Sequence, residues 1–262
     1  MPFTAGHPAA VAALARCGLP VPALVIGSIT PDLVMMLPIP VSEVVHFVHT
    51  PLGLVTADLA IGVAAFAVWQ GFLGPALIAL APKALRRRLP ETLTLPSSCG
   101  AACGAGGRAW LGRWHHPPSL LGWWRVVLAV LLGAATHLVW DSFTHDWMWG
   151  PEHIAWLAER HGPLLGWQWA QRLSDLVGLT VVAAWVAAWW RRAPVRPDTP
   201  AVMPLRYQVL GWLTILGPAT VAFWLLLLLD SFYAAVTAAA GLGVIGLAVV
   251  ASVAIVARPL KP

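Results

Sequence analysis

Apolar positions along this chain come in long, nearly unbroken runs. Residues about 52–73, 120–143, 208–229 and 232–257 each hold the roughly 20 mostly apolar positions that a helix needs to cross the hydrocarbon core of a bilayer. A fifth run, about 174–190, is slightly short but strongly apolar, and Trp189, Trp190, Arg191 and Arg192 mark its end. The segment 17–42 is also apolar, yet Pro20, Pro22, Pro31, Pro38 and Pro40 punctuate it and Asp32 lies within it. Proline at that density is expected to forbid one regular helix. The pattern there predicts short helical pieces, re-entrant or half-buried, where protein or a wet cavity satisfies the broken backbone. Residues 72–82 are expected to form another short interfacial piece. The expected fold is all-α: a polytopic membrane helix bundle with about five transmembrane helices plus a broken or re-entrant N-terminal segment. It divides into a membrane domain over 1–190 and two additional C-terminal transmembrane helices over 191–262. No internal repeat is visible.

Composition narrows the class. Hydrophobic residues make up 59% of the chain and charged residues 10%, against about 25% charged in a soluble domain, so a soluble fold could not cover its surface. Sixteen Trp against two Tyr fits interfacial aromatic belts. The N-terminus lacks a basic region and its apolar run is broken by proline, so no cleavable signal peptide is expected. Cys17, Cys99 and Cys103 have no Cys or His pairing that would make a zinc knuckle. His115 and His116 sit in a Gly-, Ser- and Pro-rich stretch, 90–118, expected to be a disordered, solvated loop.

The net charge of +5 is not a nucleic-acid signal, because the basic residues gather in a few short connections. Lys83, Arg86, Arg87, Arg88, Arg108, Arg113 and Arg125 face a single acid, Glu91, and the 191–206 connection again has one acid, Asp198. Arg258 and Lys261 lie in the tail, whereas the 144–173 connection carries Asp146, Glu152 and Glu159 against Arg160 and Arg172, and the turn near 230 offers only Asp230. Positive loops stay cytoplasmic. All five helices alternate consistently under that rule, which predicts a multi-pass protein of the plasma (inner) membrane with its C-terminus cytoplasmic.

Ionisable residues in or beside spanning helices are costly and therefore functional suspects. The densest group is His137, Asp141 and His145. Steps of four turn a helix by about 400°, so the three share one face, with about 6 Å of rise per step. On that geometry His137 and Asp141 can share an ion, His145 stands about 12 Å from His137, and Asp141 can bridge two ions. A hydrogen-bonded polar ladder between helices is the competing explanation. His46 and His49 precede the 52–73 helix, Asp58 lies two turns into it, Asp32 sits in the broken segment, and His7 lies near the N-terminus. The charge-derived topology puts His49, Asp58, His137, Asp141, His145, Ser174 and Asp175 at one membrane level, on the external side.

Met1-Pro2-Phe3-Thr4 with His7 and Ala9-Ala10, Leu24 to Ser28 leading into Pro31-Asp32, His49-Thr50 with Gly53 and Asp58, and His137 through His145, taken in order, resemble a bacterial family of integral membrane proteins, the domain-of-unknown-function 4184 family. The resemblance covers roughly residues 1–190. That family is similar in pattern to inner-membrane metal-dependent hydrolases and, more remotely, to zinc-dependent phospholipase C and the single-strand nucleases of that helical fold. The resemblance implies metal ligands at His7, Asp32, His49, His137, Asp141 and His145. No downstream His and Glu pair completes a third metal set, and His153, Glu152, Glu159 and His161 are unpatterned.

The expected activity is that of a membrane-embedded metal-dependent hydrolase. Its cofactor is expected to be zinc or another divalent metal, judged from mixed imidazole and carboxylate ligands. Asp58 or Asp175 would serve as general base or as partner to a ligating His. Membrane lipid is the expected surrounding, and a phospholipid or lipid-linked phosphoester the expected substrate, with no role for nucleic acid. Two rivals stand beside this: a transporter or ion-translocating protein using the same His and Asp residues, and a non-catalytic membrane scaffold. Metal content separates the scaffold from the others, and lipid turnover against ion flux separates enzyme from transporter.

Overall fold

The computed structural model describes residues 4–36, 42–89, 120–196, 203–229 and 232–256. The 90–118 stretch with Cys99, Cys103, His115 and His116 lies outside them, as do Asp198, Asp230, Arg258 and Lys261. The described residues are almost wholly helical. Five helices are long and apolar enough to cross a membrane: Pro51–Leu80, Gly122–Asp141, Gly166–Arg192, Leu205–Leu227 and Ala234–Val253.

In chain order the elements are α1 (Pro8–Val11), α2 (Val21–Leu33), α3 (Ser42–Val48), α4 (Pro51–Leu80), α5 (Lys83–Arg86), α6 (Leu120–Asp141), α7 (Trp149–His153), α8 (Ala155–Ala158), α9 (Gly166–Arg192), α10 (Leu205–Leu227) and α11 (Phe232–Val256). Between α8 and α9, β1 (Arg160–His161) pairs antiparallel with β2 (Leu164–Leu165). Gly162, with φ of 69°, supplies the positive dihedral that a two-residue hairpin loop needs at its first position.

One expectation is narrowed here and one changes. Residues 21–33 form one α-helix, continued by a 3₁₀ turn at Val34–Met36. The prolines explain this: Pro20 is the N-cap and Pro22 lies in the first turn, where backbone N–H groups have no intrahelical partner anyway. Only Pro31 is interior. Residues 72–82 are not a separate piece. A π-turn at Trp69–Leu73 and an α segment at Gly74–Leu80 carry α4 on to Leu80 without a break.

The chain forms two compact units. The first comprises residues 1–35, 40–66 and 118–191. Its core is the packing of α2 on α6 around Leu24, Val126, Ala129 and Val130, with Val11 and Phe66 closing the cluster. A Cβ on Gly27 would fall 2.4 Å from the Val130 carbonyl oxygen, and one on Gly133 would fall 2.4 Å from that of Leu24. Small residues thus let the two backbones touch, the usual device for packing helices in lipid. The second unit comprises residues 36–39, 67–117 and 192–262. There Ala76, Leu80, Ile215, Leu247 and Ala251 bring the end of α4 against α10 and α11, and the Trp212 indole donates to the Leu80 carbonyl at 3.1 Å.

Candidate metal centre

The α2–α6 crossing decides where chemistry can sit. One turn beyond Gly133, His137 donates from Nδ1 to the Ser28 carbonyl on α2 at 2.8 Å. A carbonyl can only accept, so the proton is fixed on Nδ1 and Nε2 faces inward. His49 is set the same way, its Nδ1 donating to the Val45 carbonyl at 2.7 Å. The turn that carries His49 is tight. The Thr50 hydroxyl caps α4 by accepting from Gly53 N at 2.9 Å, and a Cβ on Gly53 would lie 2.0 Å from the Phe47 carbonyl oxygen. Asp32, on the last turn of α2, accepts on Oδ2 from the Thr4 hydroxyl at 2.7 Å, which leaves Oδ1 turned to the histidines.

Asp141 is the hub. Its Oδ2 lies 3.2 Å from His137 Nε2, 3.5 Å from His49 Nε2 and 3.5 Å from His145 Nδ1, and its Oδ1 lies 3.5 Å from His7 Nε2. Asp32 Oδ1 is 3.6 Å from His137 Nε2 and 3.9 Å from His49 Nε2. All six residues expected from sequence therefore come together, and all six are buried. Asp32, His49, His137 and Asp141 form the tight set, each offering one ligand atom within 4.8 Å of the others.

His7 and His145 border that set. The His7 ring stacks on His137 with centroids 3.9 Å apart, and the bare Gly6–Gly178 backbone contact holds its segment against α9. The helical-face geometry expected for His145 is not observed. α6 ends at Asp141, and the Phe143 and Thr144 amides then bond back to Trp140 and Asp141, a tightened turn that folds His145 onto the same carboxylate oxygen that His137 approaches. Its Nδ1 also lies 3.4 Å from the Asp141 carbonyl oxygen and 3.4 Å from Thr144 Oγ1. Burial pushes the His7 imidazole down to about 3 and lowers that of His145 as well, so both rings are neutral at pH 7.

The site's defining property is unmet polarity. His49 Nε2, His137 Nε2, Asp32 Oδ1 and both Asp141 oxygens are buried without a hydrogen-bond partner, despite contacts as short as 3.2 Å. Buried polar atoms left so are costly. Two carboxylates among inward-facing imidazole nitrogens form a group that could hold a cation. In a tetrahedral zinc site, bonds of about 2.0–2.2 Å set ligand atoms about 3.3–3.5 Å apart. The Asp141–His137 and Asp141–His49 distances match that spacing and the Asp32 distances are a little wider, so the donor set fits a divalent ion.

Asp58 lies in a π-turn, Leu54–Asp58, at the start of α4. It is fully buried, and neither carboxylate oxygen has a hydrogen-bond partner. Asp175, half-buried on α9, is not part of the four-residue set. His153 and His161 stack on Trp149 and Trp156 instead.

The sequence model of the family described as Domain of unknown function (DUF4184) matches residues 1–258. The chain belongs to this family. The match runs past residue 190, so the family includes α10 and α11, which the motif-based resemblance left out. No curated protein and no solved structure matches the chain. The roles unforeseen from sequence are those that hold the site's His and Asp side chains in place: Thr4 on Asp32, and the Ser28 and Val45 carbonyls on the two histidines.

Proposed function

We propose that this protein is a membrane-embedded, metal-dependent hydrolase acting on a phospholipid or lipid-linked phosphoester at the external face of the plasma membrane. The observation that carries the reading is the convergence of Asp32, His49, His137 and Asp141 with their inward atoms unpartnered. Imidazole and carboxylate together suit zinc. A bound divalent ion would polarise a phosphoryl or acyl oxygen and bring the pKa of its water to about 7.

The chain's own groups divide the remaining work. The Ser28 and Val45 carbonyls and the Thr4 hydroxyl orient the ligands, the role that outer partners play in metal sites. Asp58, with two uncommitted oxygens, can take a proton from an attacking water. An apolar groove of about 570 Å³ borders the centre, lined by Ala10, Leu132, Val139, Trp140, Phe143 and Thr144 among others. Trp140 also packs edge-on against His7, and Thr144 touches His145. A groove of that character beside a polar centre supports a substrate with a hydrocarbon chain.

The test is turnover by purified protein in lipid nanodiscs with zinc added. Phosphate or headgroup release is expected from wild type, with Asp58→Asn reducing it at least 100-fold, within the range general bases contribute, while keeping its metal. Ion flux without lipid turnover would replace this reading with that of a transporter.

A further inference from the structure

In the second unit a buried positive charge has no acidic side chain against it among the described residues. α4 stops at Leu80, where Ala81 turns to extended backbone, and Pro82 starts the short α5. Arg86 folds back so that Nη1 donates to the Ala81 carbonyl at 2.9 Å. That contact caps a carbonyl at a helix end, but it uses only part of a five-donor guanidinium. The residue is 3% exposed and its Nε has no hydrogen-bond partner. Arginine cannot shed its proton, so a full positive charge stays buried. Among the described residues of this unit there is no Asp or Glu.

More cations crowd the same turn. Arg87 Nε donates to the Arg196 carbonyl at 2.7 Å, Arg196 Nη2 donates to the Arg86 carbonyl at 3.2 Å and also to that of Leu89, and Arg88 Nη1 donates to the Ala84 carbonyl at 3.1 Å. Carbonyl dipoles at helix C-termini offset part of this charge, not a full unit on a buried group. Guanidinium groups are matched in shape and charge to phosphate.

We propose that this turn binds a phosphate-bearing anion, with Arg86 as its buried anchor and Arg196 beside it. The phosphate is that of a membrane phospholipid headgroup or free inorganic phosphate. The site is independent of the metal centre and belongs to the other unit.

Thermal unfolding of the full-length protein in neutral detergent tests it, with inorganic phosphate in one arm and phosphatidylglycerol in the other, each against chloride at equal ionic strength. Wild type is expected to unfold several degrees higher in one arm. A rise with the lipid alone identifies the headgroup, and a rise with phosphate alone identifies the free anion. Arg86→Gln, which keeps an N–H donor for Ala81 but no charge, is expected to lose the rise, whereas Arg125→Gln, exposed and in the first unit, keeps it. Should Arg86→Gln fail to fold, Arg196→Gln reads the same site and is expected to diminish the rise. No rise in wild type, or an undiminished rise in the Arg86 or Arg196 variant, overturns the proposal.

Discussion

Asp141 faces His7, His49, His137 and His145 at once, and among the described residues no other side chain in the site has so many oppositely charged or chargeable partners. Its loss should therefore be the most damaging. Asp141→Asn is expected to abolish metal retention, while Asp175→Asn, outside the tight set, retains it. Elemental analysis of the two purified variants checks this, and full retention in both refutes the hub role of Asp141. Thr4→Val removes only the hydroxyl that orients Asp32, so a metal affinity about 10–100-fold weaker is expected by competition with a chelator. Unchanged affinity would mean that Thr4 positions nothing. Charge in or beside an apolar run makes His137, Asp141 and His145 stand out together with His7, Asp32, His46, His49, Asp58 and Asp175, and the family resemblance narrows these to the six that converge. The Ser28 and Val45 carbonyls are not legible in sequence, since every residue carries a carbonyl and only the fold selects which one meets an imidazole.

Helix ends and helix crossings do the positioning. The α2–α6 contact depends on Gly27 and Gly133, and it brings Ser28 and Asp32 to His137. Gly133→Ala would press a methyl group into the Leu24 carbonyl, and overpacking of this kind costs about 1–3 kcal/mol. A lower unfolding temperature together with weaker metal retention is expected, because the same contact sets both. A variant as stable as wild type and with full metal content would show that the crossing is not tight. At this scale the sequence misleads in instructive ways. The prolines in 17–42 leave the described part a single 13-residue helix and a 3₁₀ turn rather than several short pieces, because Pro20 and Pro22 sit where a helix start tolerates them, while Pro38 and Pro40 lie outside the described residues. Extending the i, i+4, i+8 pattern through His145 assumed that α6 continues, whereas it ends at Asp141. The π-turn that carries Asp58 leaves no periodic trace in a uniformly apolar run.

Five candidate spans, read from hydropathy alone to within a few residues at most ends, recur in the structure, because the bilayer's thickness imposes a length that the sequence must display. The exceptions are the far end of α4, where the wholly apolar Gly74–Leu80 segment continues the helix past a π-turn, and the near end of α9, where polar turns with Gln168, Gln171 and Arg172 precede its apolar part. The direction of the spans rests on charge asymmetry. A Cys in place of His153 is expected to react with a membrane-impermeant reagent in intact cells, and one in place of Asp198 is not. The reverse pattern would invert the protein and move the site to the cytoplasmic face. The central claim, that the buried His and Asp side chains hold a divalent cation, meets its most direct test in the metal content of purified, folded wild-type protein beside His137→Ala. About one or two equivalents of zinc or another divalent metal per chain are expected in wild type, and a clear loss in the variant. A wild-type protein that is folded, metal-free and unable to take up added zinc would contradict the account and leave the cluster as a polar scaffold.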